Sequence, residues 1–360
     1  MPASDRVRDA GRRAVLKAAG AGGACLLGRP VGVLAAAPGV GAGSGDSINE
    51  RMTGDITPVH DPCIIKEGGT YFVYGTAMLG SPGVTLHTSP DLIHWKSRGT
   101  IFPAIPAWAR ALIPGARGMW APDVSRFHGG YRLYYAVSTF GTNRSVIGLA
   151  TNTTLDPKSP EYKWKDRGLV LMSHEGDDFN AIDLNHFVDR EGRNWLVFGS
   201  FWTGIKMRRL DPDTGKFLRG KERVVSLARR PVPTGGPEAI EGGFMFERGG
   251  KYYLFASYDY CCMGARSTYY TAYGRSREVT GPFEGRDGGA MLHGFGTVIL
   301  KADLQLKDRW RGPGGCGVFR DADRDYIVYH AYDAWHHGIP TLRISPLTWS
   351  GDGWPTADTA

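Results

Sequence analysis

Five short segments of the chain share one pattern of aromatic and aliphatic residues, and each follows a turn rich in glycine or aspartate. They read YFVYGT from Tyr71, YRLYYAV from Tyr131, WLVFGSF from Trp195, YYLFASY from Tyr252 and YIVYHAY from Tyr326. Runs of this composition and length predict buried β-strands. Their first residues lie 60, 64, 57 and 74 positions apart. A period this regular indicates a repeat architecture.

The length of the period decides which repeat architecture fits. A spacing of about 60 residues suits a four-stranded propeller blade with long loops and exceeds a two-helix repeat. No stretch has the period of an amphipathic helix, so we predict an all-β fold class. The five copies predict a five-bladed β-propeller.

A set of equivalent positions appears when the sequence is aligned on these five segments. The residues that lie 10 to 12 positions before the five anchors are Asp61, Trp120, Asp183, Glu241 and Gly315. Equivalent positions of the innermost strands of a propeller surround its central channel. We therefore expect three carboxylates and a tryptophan to meet on the axis.

Carboxylates around an apolar channel suit hydrolysis of a glycosidic bond, because one must protonate the leaving oxygen while another activates water. Glu241, flanked by Ile240 and Phe244, is the candidate acid, since an apolar setting raises the pKa of a carboxyl group. Asp61 is the candidate base, and Asp183 is expected to tune Glu241 by its charge. Inverting chemistry predicts that the Asp61 and Glu241 carboxyls lie roughly 6.5–9.5 Å apart.

Flat apolar side chains and nearby polar groups are expected to hold the sugar rings. The candidates are Trp120, Phe140, Phe201 and Trp202 for stacking, with Asn180 and Ser200 for hydrogen bonds. Aromatic residues on strands are more often core residues, and an aspartate before a proline is more often a turn residue. The Trp-Ala-Pro-Asp run at 120–123 is typical of a turn, so we expect Asp123 in a turn, and we expect Glu238 on the surface. The three acids nevertheless occupy equivalent positions before the aromatic strands, and this shared position favours a catalytic site.

The beginning of the chain is typical of an export leader. Gly11-Arg12-Arg13 opens a twin-arginine motif, and a short apolar stretch follows. We predict a twin-arginine-type signal peptide and linker over residues 1–45, then a single catalytic propeller over 46–360. The apolar run is too short to anchor the protein permanently, so we expect secretion and no membrane contact after export.

Charge and cysteines exclude two further classes of partner. The formal net charge is +7 without a long basic run, so no nucleic-acid partner is expected. Beyond the leader, Cys63, Cys261, Cys262 and Cys316 lack the spacing of a metal site. The adjacent Cys261 and Cys262 are expected to be buried thiols or a vicinal disulfide pair, and no disulfide pairing can be derived from the spacing.

Eight motifs, in this order, cover nearly the whole chain after the leader: HDPCII at 60–65, MWAPDV at 119–124, STFGTNRSVIGLAT at 138–151, NAID at 180–183, FGSFW at 198–202, IEGGFMF at 240–246, YDYCC at 258–262 and DYIVYHAYD at 325–333. Together they resemble the arabinan endo-1,5-α-L-arabinosidases of glycoside hydrolase family 43. The resemblance implies a propeller that cleaves arabinan with inversion, with Asp61 as base, Asp183 as pKa modulator and Glu241 as acid.

The resemblance also implies which residues contact the substrate: Asp61, Gly141, Asn180, Ala181, Ile182, Asp183, Ser200, Phe201 and Trp202. The expected partner is the polysaccharide arabinan, and the chain is expected to act as a monomer. Two alternatives stay open. One is an exo-acting arabinofuranosidase or xylosidase on the same scaffold, and the other is a sugar-binding propeller without catalysis.

The sequence departs from the family pattern at three places. Gly242-Gly243 follow Glu241 where the family often has Ala-Pro, and Leu184 stands where a proline often follows the aspartate. Gly315 stands where many members have a histidine that holds a central cation or water. We therefore assign no metal ligand and no cofactor, expect water in the channel, and keep a central calcium ion as the alternative.

Overall fold

The computed structural model describes residues 47–78, 80–220, 223–232, 238–302 and 308–358, and the predicted leader lies outside them. In these ranges strands dominate, beside two short α-helices, α1 (Ile48–Arg51) and α2 (Ala107–Leu112), and two 3-10 turns at Gly264–Arg266 and Met291–His293. No helix in these ranges is long and apolar enough to cross a bilayer.

The strands form five sheets that follow one another along the chain, and each sheet is one blade. Blade one contains β1 (Thr53–Gly54), β2 (Cys63–Glu67), β3 (Thr70–Gly75), β4 (Thr85–Ser89) and β5 (His94–Thr100). Blade two contains β6 (Met119–Phe127), β7 (Gly130–Val137), β8 (Ser145–Asn152) and β9 (Lys165–Ser173). Blade three contains β10 (Asn185–Val188), β11 (Asn194–Phe198), β12 (Ile205–Leu210) and β13 (Val225–Ala228).

The last two blades have the same order of strands. Blade four contains β14 (Ile240–Arg248), β15 (Lys251–Tyr258), β16 (Tyr270–Ser276) and β17 (Thr297–Leu300). Blade five contains β18 (Trp310–Asp321), β19 (Arg324–Asp333), β20 (Ile339–Trp349) and β21 (Pro355–Ala357). Neighbouring strands within a blade pair antiparallel, apart from β1, which joins β5 in parallel. The predicted five-bladed β-propeller is confirmed.

Each of the five aromatic segments forms the strand next to the innermost strand of its blade. These strands are β3, β7, β11, β15 and β19. These strands are buried at nearly every position. A blade inside the ring is covered on both faces by its neighbours, so its strands need apolar side chains on both faces. That is why the sequence shows continuous apolar runs rather than an alternating pattern.

The hydrophobic core is divided into five clusters, one at each interface between neighbouring blades. Members that face each other across these interfaces include Phe72 with Leu133, Tyr134 with Leu196, Val197 with Leu254, Phe255 with Ile327, and Val328 with Val73. The innermost strands β2, β6, β10, β14 and β18 each contact the next, and β18 contacts β2. The ring therefore closes, and the starts of these strands come together around one axis.

The segment before β1 closes the ring by packing on blade five. Asn49 is buried, its side-chain amide donates to Ser345 Oγ at 3.1 Å, and its carbonyl accepts the backbone N–H of Ile344 at 2.8 Å. The backbone N–H of Val59 donates to the carbonyl of Pro340 at 2.9 Å. The first and last parts of the described chain are thus joined directly.

Two acidic residues lie elsewhere than the sequence predicts. Asp123 is not in a turn but buried in β6, because a β-bulge between Trp120 and Asp123 accommodates the proline within the strand. Its carboxylate accepts hydrogen bonds from the Asn185 side chain and from the His186 backbone N–H. Glu238 is buried rather than on the surface, and it is paired with the guanidinium of an arginine, Arg229.

The burial of Asp123 predicts a pH dependence of stability. Burial raises the pKa of Asp123 to about 6, although its hydrogen bonds oppose the shift. The folded state therefore holds this proton more tightly than the unfolded state, and stability falls as the pH rises from about 4 to about 6. Between pH 4 and pH 7, wild type should lose about 2 kcal/mol relative to Asp123→Asn. Urea unfolding of both proteins at the two pH values measures this difference, and an unchanged difference would contradict the prediction.

Candidate active site

The five aligned positions that the sequence predicts around the axis lie toward one end of the central channel. Asp61 and Asp183 each lie two residues before an innermost strand, β2 and β10, while Trp120 and Glu241 are the second residues of β6 and β14. Gly315 lies farther along β18, where two register shifts bend the strand. The channel cavity is lined by residues of all five blades, among them Asp61, Ala121, Asp183, Gly242, Tyr269 and Gly315.

Two of the three acids adopt a backbone conformation that is unusual for a residue with a side chain. Asp61 has φ 48° and Asp183 has φ 54°, both in the left-handed region. Phe201 and Trp202, also predicted at the site, have φ 56° and 46°. Strained residues of this kind concentrate at functional sites, where the surrounding structure holds them in place. The strain supports a role for these turns beyond connecting strands.

The carboxylate of Asp61 is held by two donors on one oxygen. Oδ2 accepts hydrogen bonds from His60 Nδ1 at 2.7 Å and from Thr76 Oγ1 at 2.6 Å. The backbone N–H of Asp61 donates to His330 Nδ1 at 3.1 Å. Burial alone would raise the pKa of Asp61, but His60, His330 and Thr76 outweigh burial and lower it below its usual value. Asp61 is therefore ionised over the working range of an enzyme, as a base must be.

The surroundings of Glu241 shift its pKa in the opposite direction. Its side chain is buried, and its two oxygens accept hydrogen bonds from Ser200 Oγ at 2.6 Å and from the Tyr269 hydroxyl at 2.8 Å. Burial raises the pKa of Glu241 more than these two bonds lower it, and the charge of Asp61 raises it further. A raised pKa favours the protonated form of the carboxyl group, which is the form that a general acid needs.

Asp183 interacts with both other acids. Burial raises its pKa first, and the charges of Glu241 and Asp61 raise it further, while a hydrogen bond from the Gly242 backbone N–H opposes the shift. Asp183 and Glu241 cannot both ionise at low cost in this setting. The site therefore combines one ionised carboxylate with two acids whose pKa values are raised, which is the division needed for acid and base roles.

Gly315 gives its neighbours room. Its backbone N–H donates to Ser257 Oγ at 3.0 Å, and its φ is 57°. A Cβ at this position would lie 2.5 Å from Asp61 Oδ1 and 2.9 Å from His330 Nδ1. Any side chain here would collide with the carboxylate, so glycine keeps the space beside Oδ1 open.

The same region does not fit a directly coordinated calcium ion. His60, Asp61 and His330 are close enough to form a cluster of metal-ligand type. However, His330 Nδ1 already accepts the Asp61 N–H, and His60 Nδ1 already contacts Asp61 Oδ2. Calcium takes about six to eight oxygen ligands, and this cluster supplies a single carboxylate. No step of the chemistry is therefore assigned to a metal.

Aromatic residues predicted to bind sugar lie on the same face as the acids. Phe140 and Gly141 are in the loop that follows β7, and the Phe140 side chain is 80% exposed. Phe201 and Trp202 follow β11 and are partly buried, and the Phe201 ring lies 5.9 Å from the ring of a neighbouring tyrosine. Trp120 is also partly buried, against the cluster between blades two and three. These residues leave apolar surface around the channel mouth.

Other predicted contact residues support the site from within. Asn180 is buried and accepts a hydrogen bond from Ser145 Oγ at 2.6 Å. Ala181 and Ile182 are buried in the hydrophobic cluster between blades two and three, so their side chains are not available to a sugar. Ser200 is also buried, and its hydroxyl is engaged by Glu241.

Sequence reasoning did not assign several residues that hold the acids. They are His60, Thr76, Tyr269, His330 and Tyr332. His60 could have been found from its position next to Asp61. The others lie in or next to strand segments rich in tyrosine, where nothing separates a core residue from one at the axis.

The loop between β15 and β16 lies against this group of residues. Cys261 and Cys262 form a vicinal disulfide, which is one of the two states expected for the pair, while Cys63 and Cys316 are buried free thiols. The backbone N–H of Cys262 donates to the Tyr332 hydroxyl at 2.8 Å. The disulfide loop thus contacts blade five beside the channel mouth.

Comparison with known proteins agrees with this geometry. The sequence profile of Glycosyl hydrolases family 43 matches residues 56–355. The extracellular endo-alpha-(1->5)-L-arabinanase 1 of Bacillus subtilis (strain 168) is 40% identical over 299 residues, which are 83% of this chain and 87% of that protein. The extracellular exo-alpha-(1->5)-L-arabinofuranosidase ArbA of Cellvibrio japonicus (strain Ueda107) is 38% identical over 307 residues, 83% of this chain and 86% of that protein.

Solved structures give the same result. The alpha-L-arabinanase of Cellvibrio cellulosa complexed with arabinohexaose superposes with a TM-score of 0.79 at 36% identity, and the match covers 84% of this chain and 95% of that chain. The family profile and these relatives each extend over most of the propeller. The chain therefore belongs to glycosyl hydrolase family 43.

Proposed function

We propose that the protein is a secreted glycoside hydrolase that cleaves α-1,5-linked L-arabinan at internal bonds and inverts the anomeric configuration. The observation that carries the proposal is the contrast between Asp61, which lines the channel cavity and has a lowered pKa, and the nearby Glu241, whose pKa is raised, in a family 43 propeller. The names of the Bacillus subtilis relative and of several Aspergillus relatives, about a third identical, support arabinan as the substrate and endo as the mode of cleavage.

The geometry assigns each acid a role in a single displacement. Asp61 Oδ1, which accepts no hydrogen bond from a described residue, takes a proton from a water molecule as the water oxygen bonds to the anomeric carbon. The bond from that carbon to the leaving oxygen breaks, and Glu241 gives its proton to that oxygen. Afterwards Asp61 releases its proton and Glu241 regains one, so the net reaction adds one water. Asp183 acts on Glu241 by keeping its pKa raised.

The relatives also support a second candidate function. One curated relative at 38% identity is named an exo-arabinofuranosidase, and a ruminal structure at 40% identity is named an exo-1,5-alpha-L-arabinanase. Exo action uses the same acids and differs only in whether the groove around the channel mouth is open at both ends. Exo cleavage of the same linkage is therefore the alternative to endo cleavage.

The proposal extends to export and assembly. The two curated relatives named above are described as extracellular, which supports secretion. We infer the twin-arginine route from Arg12 and Arg13 and a monomeric enzyme that meets its polysaccharide without a partner protein. Expression with Arg12 and Arg13 both replaced by lysine should leave the enzyme inside the cell if the route is as proposed.

Product analysis tests the function directly. The purified enzyme is incubated with linear, debranched and branched arabinan, and with xylan as the control substrate. A ladder of oligosaccharides from linear arabinan supports endo cleavage, and release of one short product of constant length supports exo cleavage. Proton NMR of fresh product should show the inverted anomer. Cleavage of xylan alone, or retention of configuration, would overturn the proposal.

A chelation experiment tests the assignment of the channel to water. We expect enzyme dialysed against a strong chelator to keep its rate and its melting temperature, because the described residues around Gly315 do not supply the oxygen ligands that calcium prefers. Enzyme dialysed without the chelator is the control. A large loss of rate or melting temperature that added calcium restores would show a bound ion and refute this prediction.

A further inference from the structure

A chain of hydrogen bonds leads from the disulfide loop of blade four to the proposed base. The Cys262 backbone N–H donates to the Tyr332 hydroxyl at 2.8 Å, and this hydroxyl lies 2.7 Å from His60 Nε2. His60 Nδ1 in turn lies 2.7 Å from Asp61 Oδ2. Three polar groups from three blades thus stand in line behind one carboxylate oxygen.

The direction of each bond is fixed from both ends of the chain: the carboxylate oxygen Oδ2 can only accept, so His60 Nδ1 donates to it, and a neutral ring then accepts at Nε2. The Tyr332 oxygen accepts the Cys262 N–H, so its own proton is free to point at His60 Nε2. Burial raises the pKa of Tyr332, which means that the hydroxyl keeps this proton. If Nε2 accepts, the ring proton is on Nδ1 and is donated to Asp61 Oδ2. The chain therefore selects one tautomer of His60.

We propose that Tyr332 and His60 are positioning residues for Asp61: the Tyr332 hydroxyl fixes the His60 tautomer, and His60 then donates to Oδ2 and leaves Oδ1 as the oxygen that accepts the proton from water. The proposal rests on the proposed function for the role of Asp61 as base. It adds what holds the carboxylate in the orientation that leaves Oδ1 free to react.

Packing around the two rings supports a fixed orientation. The His60 ring stacks on His330 with centroids 3.7 Å apart. His330 Nδ1 accepts the Asp61 backbone N–H, so this second ring fixes the backbone of the base while the first fixes its carboxylate. Thr76 completes the arrangement, because its hydroxyl donates to Oδ2 and accepts the Ala121 N–H at 2.9 Å.

The titratable groups around Asp61 determine the sign of the pH effect. They come from five places in the fold and are His60, His330, Tyr332, Asp183, Glu241 and Tyr269. Asp183 and Glu241 disfavour a charge on Asp61, and the donor from His60 favours it. Weakening that donor must therefore raise the pKa of the base and move the acid limb of the activity profile to higher pH.

The test uses Tyr332→Phe in the full chain, with two independent readouts. The first is the pKa of the Asp61 carboxyl, followed by carbon-13 NMR, which should rise by about one pH unit. The second is the acid limb of kcat/KM on linear arabinan, which should move upward by about the same amount, with roughly a tenfold loss at the optimum. Tyr134→Phe is the matched control, since that buried hydroxyl donates to the Gly215 carbonyl away from the acids. It should shift neither.

Two variants of His60 test the hydrogen bonds of its two ring nitrogens, Nδ1 and Nε2, separately. His60→Asn retains an amide where Nδ1 stood and should keep most of the wild-type acid limb. His60→Gln places its amide nearer Nε2 and should show the shifted limb. Nitrogen-15 NMR of wild type should show His60 protonated on Nδ1 alone. These measurements decide the matter even if Tyr332→Phe does not fold.

The outcomes distinguish this proposal from the proposed function. If Tyr332→Phe moves the Asp61 carboxyl pKa but not the kinetic limb, the positioning chain stands and Asp61 is not the base. If it moves neither, or if His60 is protonated on Nε2 in wild type, the positioning chain is refuted. Equal acid limbs in His60→Asn and His60→Gln would refute it as well.

Discussion

Glu241→Gln is expected to lower kcat on arabinan by roughly 10²–10⁴-fold, the usual contribution of a general acid. The glutamine carbonyl can accept one of the two hydrogen bonds that Ser200 and Tyr269 donate, and the other hydroxyl can rotate to accept from the new amide, so the site should keep its shape. What it lacks is the proton for the leaving oxygen. An aryl arabinoside with an acidic phenol needs little of that help and should be cleaved at close to the wild-type rate, if the enzyme accepts it.

The comparison between the two substrates is the decisive part of this experiment. Initial rates are measured for wild type and Glu241→Gln on linear arabinan and on the aryl arabinoside. Asp323→Asn, which changes an exposed acid in the turn between β18 and β19, serves as the control and should match wild type on both. Equal losses on the two substrates would show that Glu241 is not the acid.

Asp61→Asn is expected to abolish turnover of both substrates, with a loss of at least about 10²-fold on each. The leaving group has no bearing on this step, because water must be deprotonated whichever bond breaks. An asparagine can place its carbonyl at the Oδ2 position and accept from His60 and Thr76. Its amide then replaces Oδ1, where it cannot take a proton from water.

Folding of this variant has to be established separately. The melting temperature and binding of arabino-oligosaccharides should stay close to wild type, since the hydrogen bonds to Oδ2 are retained. Activity that survives on the aryl arabinoside alone would assign Asp61 the role of acid and so contradict its assignment as the base. Activity retained on both substrates would exclude Asp61 from the reaction.

Much of the fold could be predicted because the propeller repeats one local pattern five times. Tyr71, Tyr131 and their three equivalents lie near the start of strands that neighbouring blades cover on both faces, so each strand needs the same apolar run. The bulged inner strands were harder to predict. Bulges between Trp120 and Asp123 and along β18 change which side chain faces inward. The local amino-acid composition does not predict these bulges.

The site could be predicted only in part, for a physical reason. The acids recur at similar distances, 10 to 12 residues, before the anchors, so their shared position was visible in the sequence. The groups that hold them are set by contacts between distant residues: His60 and Tyr332 are separated by 272 positions, and Ser200 and Glu241 by 41. A tyrosine on a buried strand has the same local sequence whether its hydroxyl meets a carboxylate or a backbone carbonyl. The roles of the site residues stay predictions until the variants are measured.

The contact between Asn49 and blade five also has a kinetic consequence. Its two hydrogen bonds join residues 296 and 295 positions apart, almost the full length of the propeller. Contacts across so long a loop form late in folding, after the blades themselves. Interactions that are absent from the folding transition state slow unfolding and leave the folding rate nearly unchanged. We therefore expect the closing segment to prolong the lifetime of the folded molecule and to have little effect on how quickly it forms.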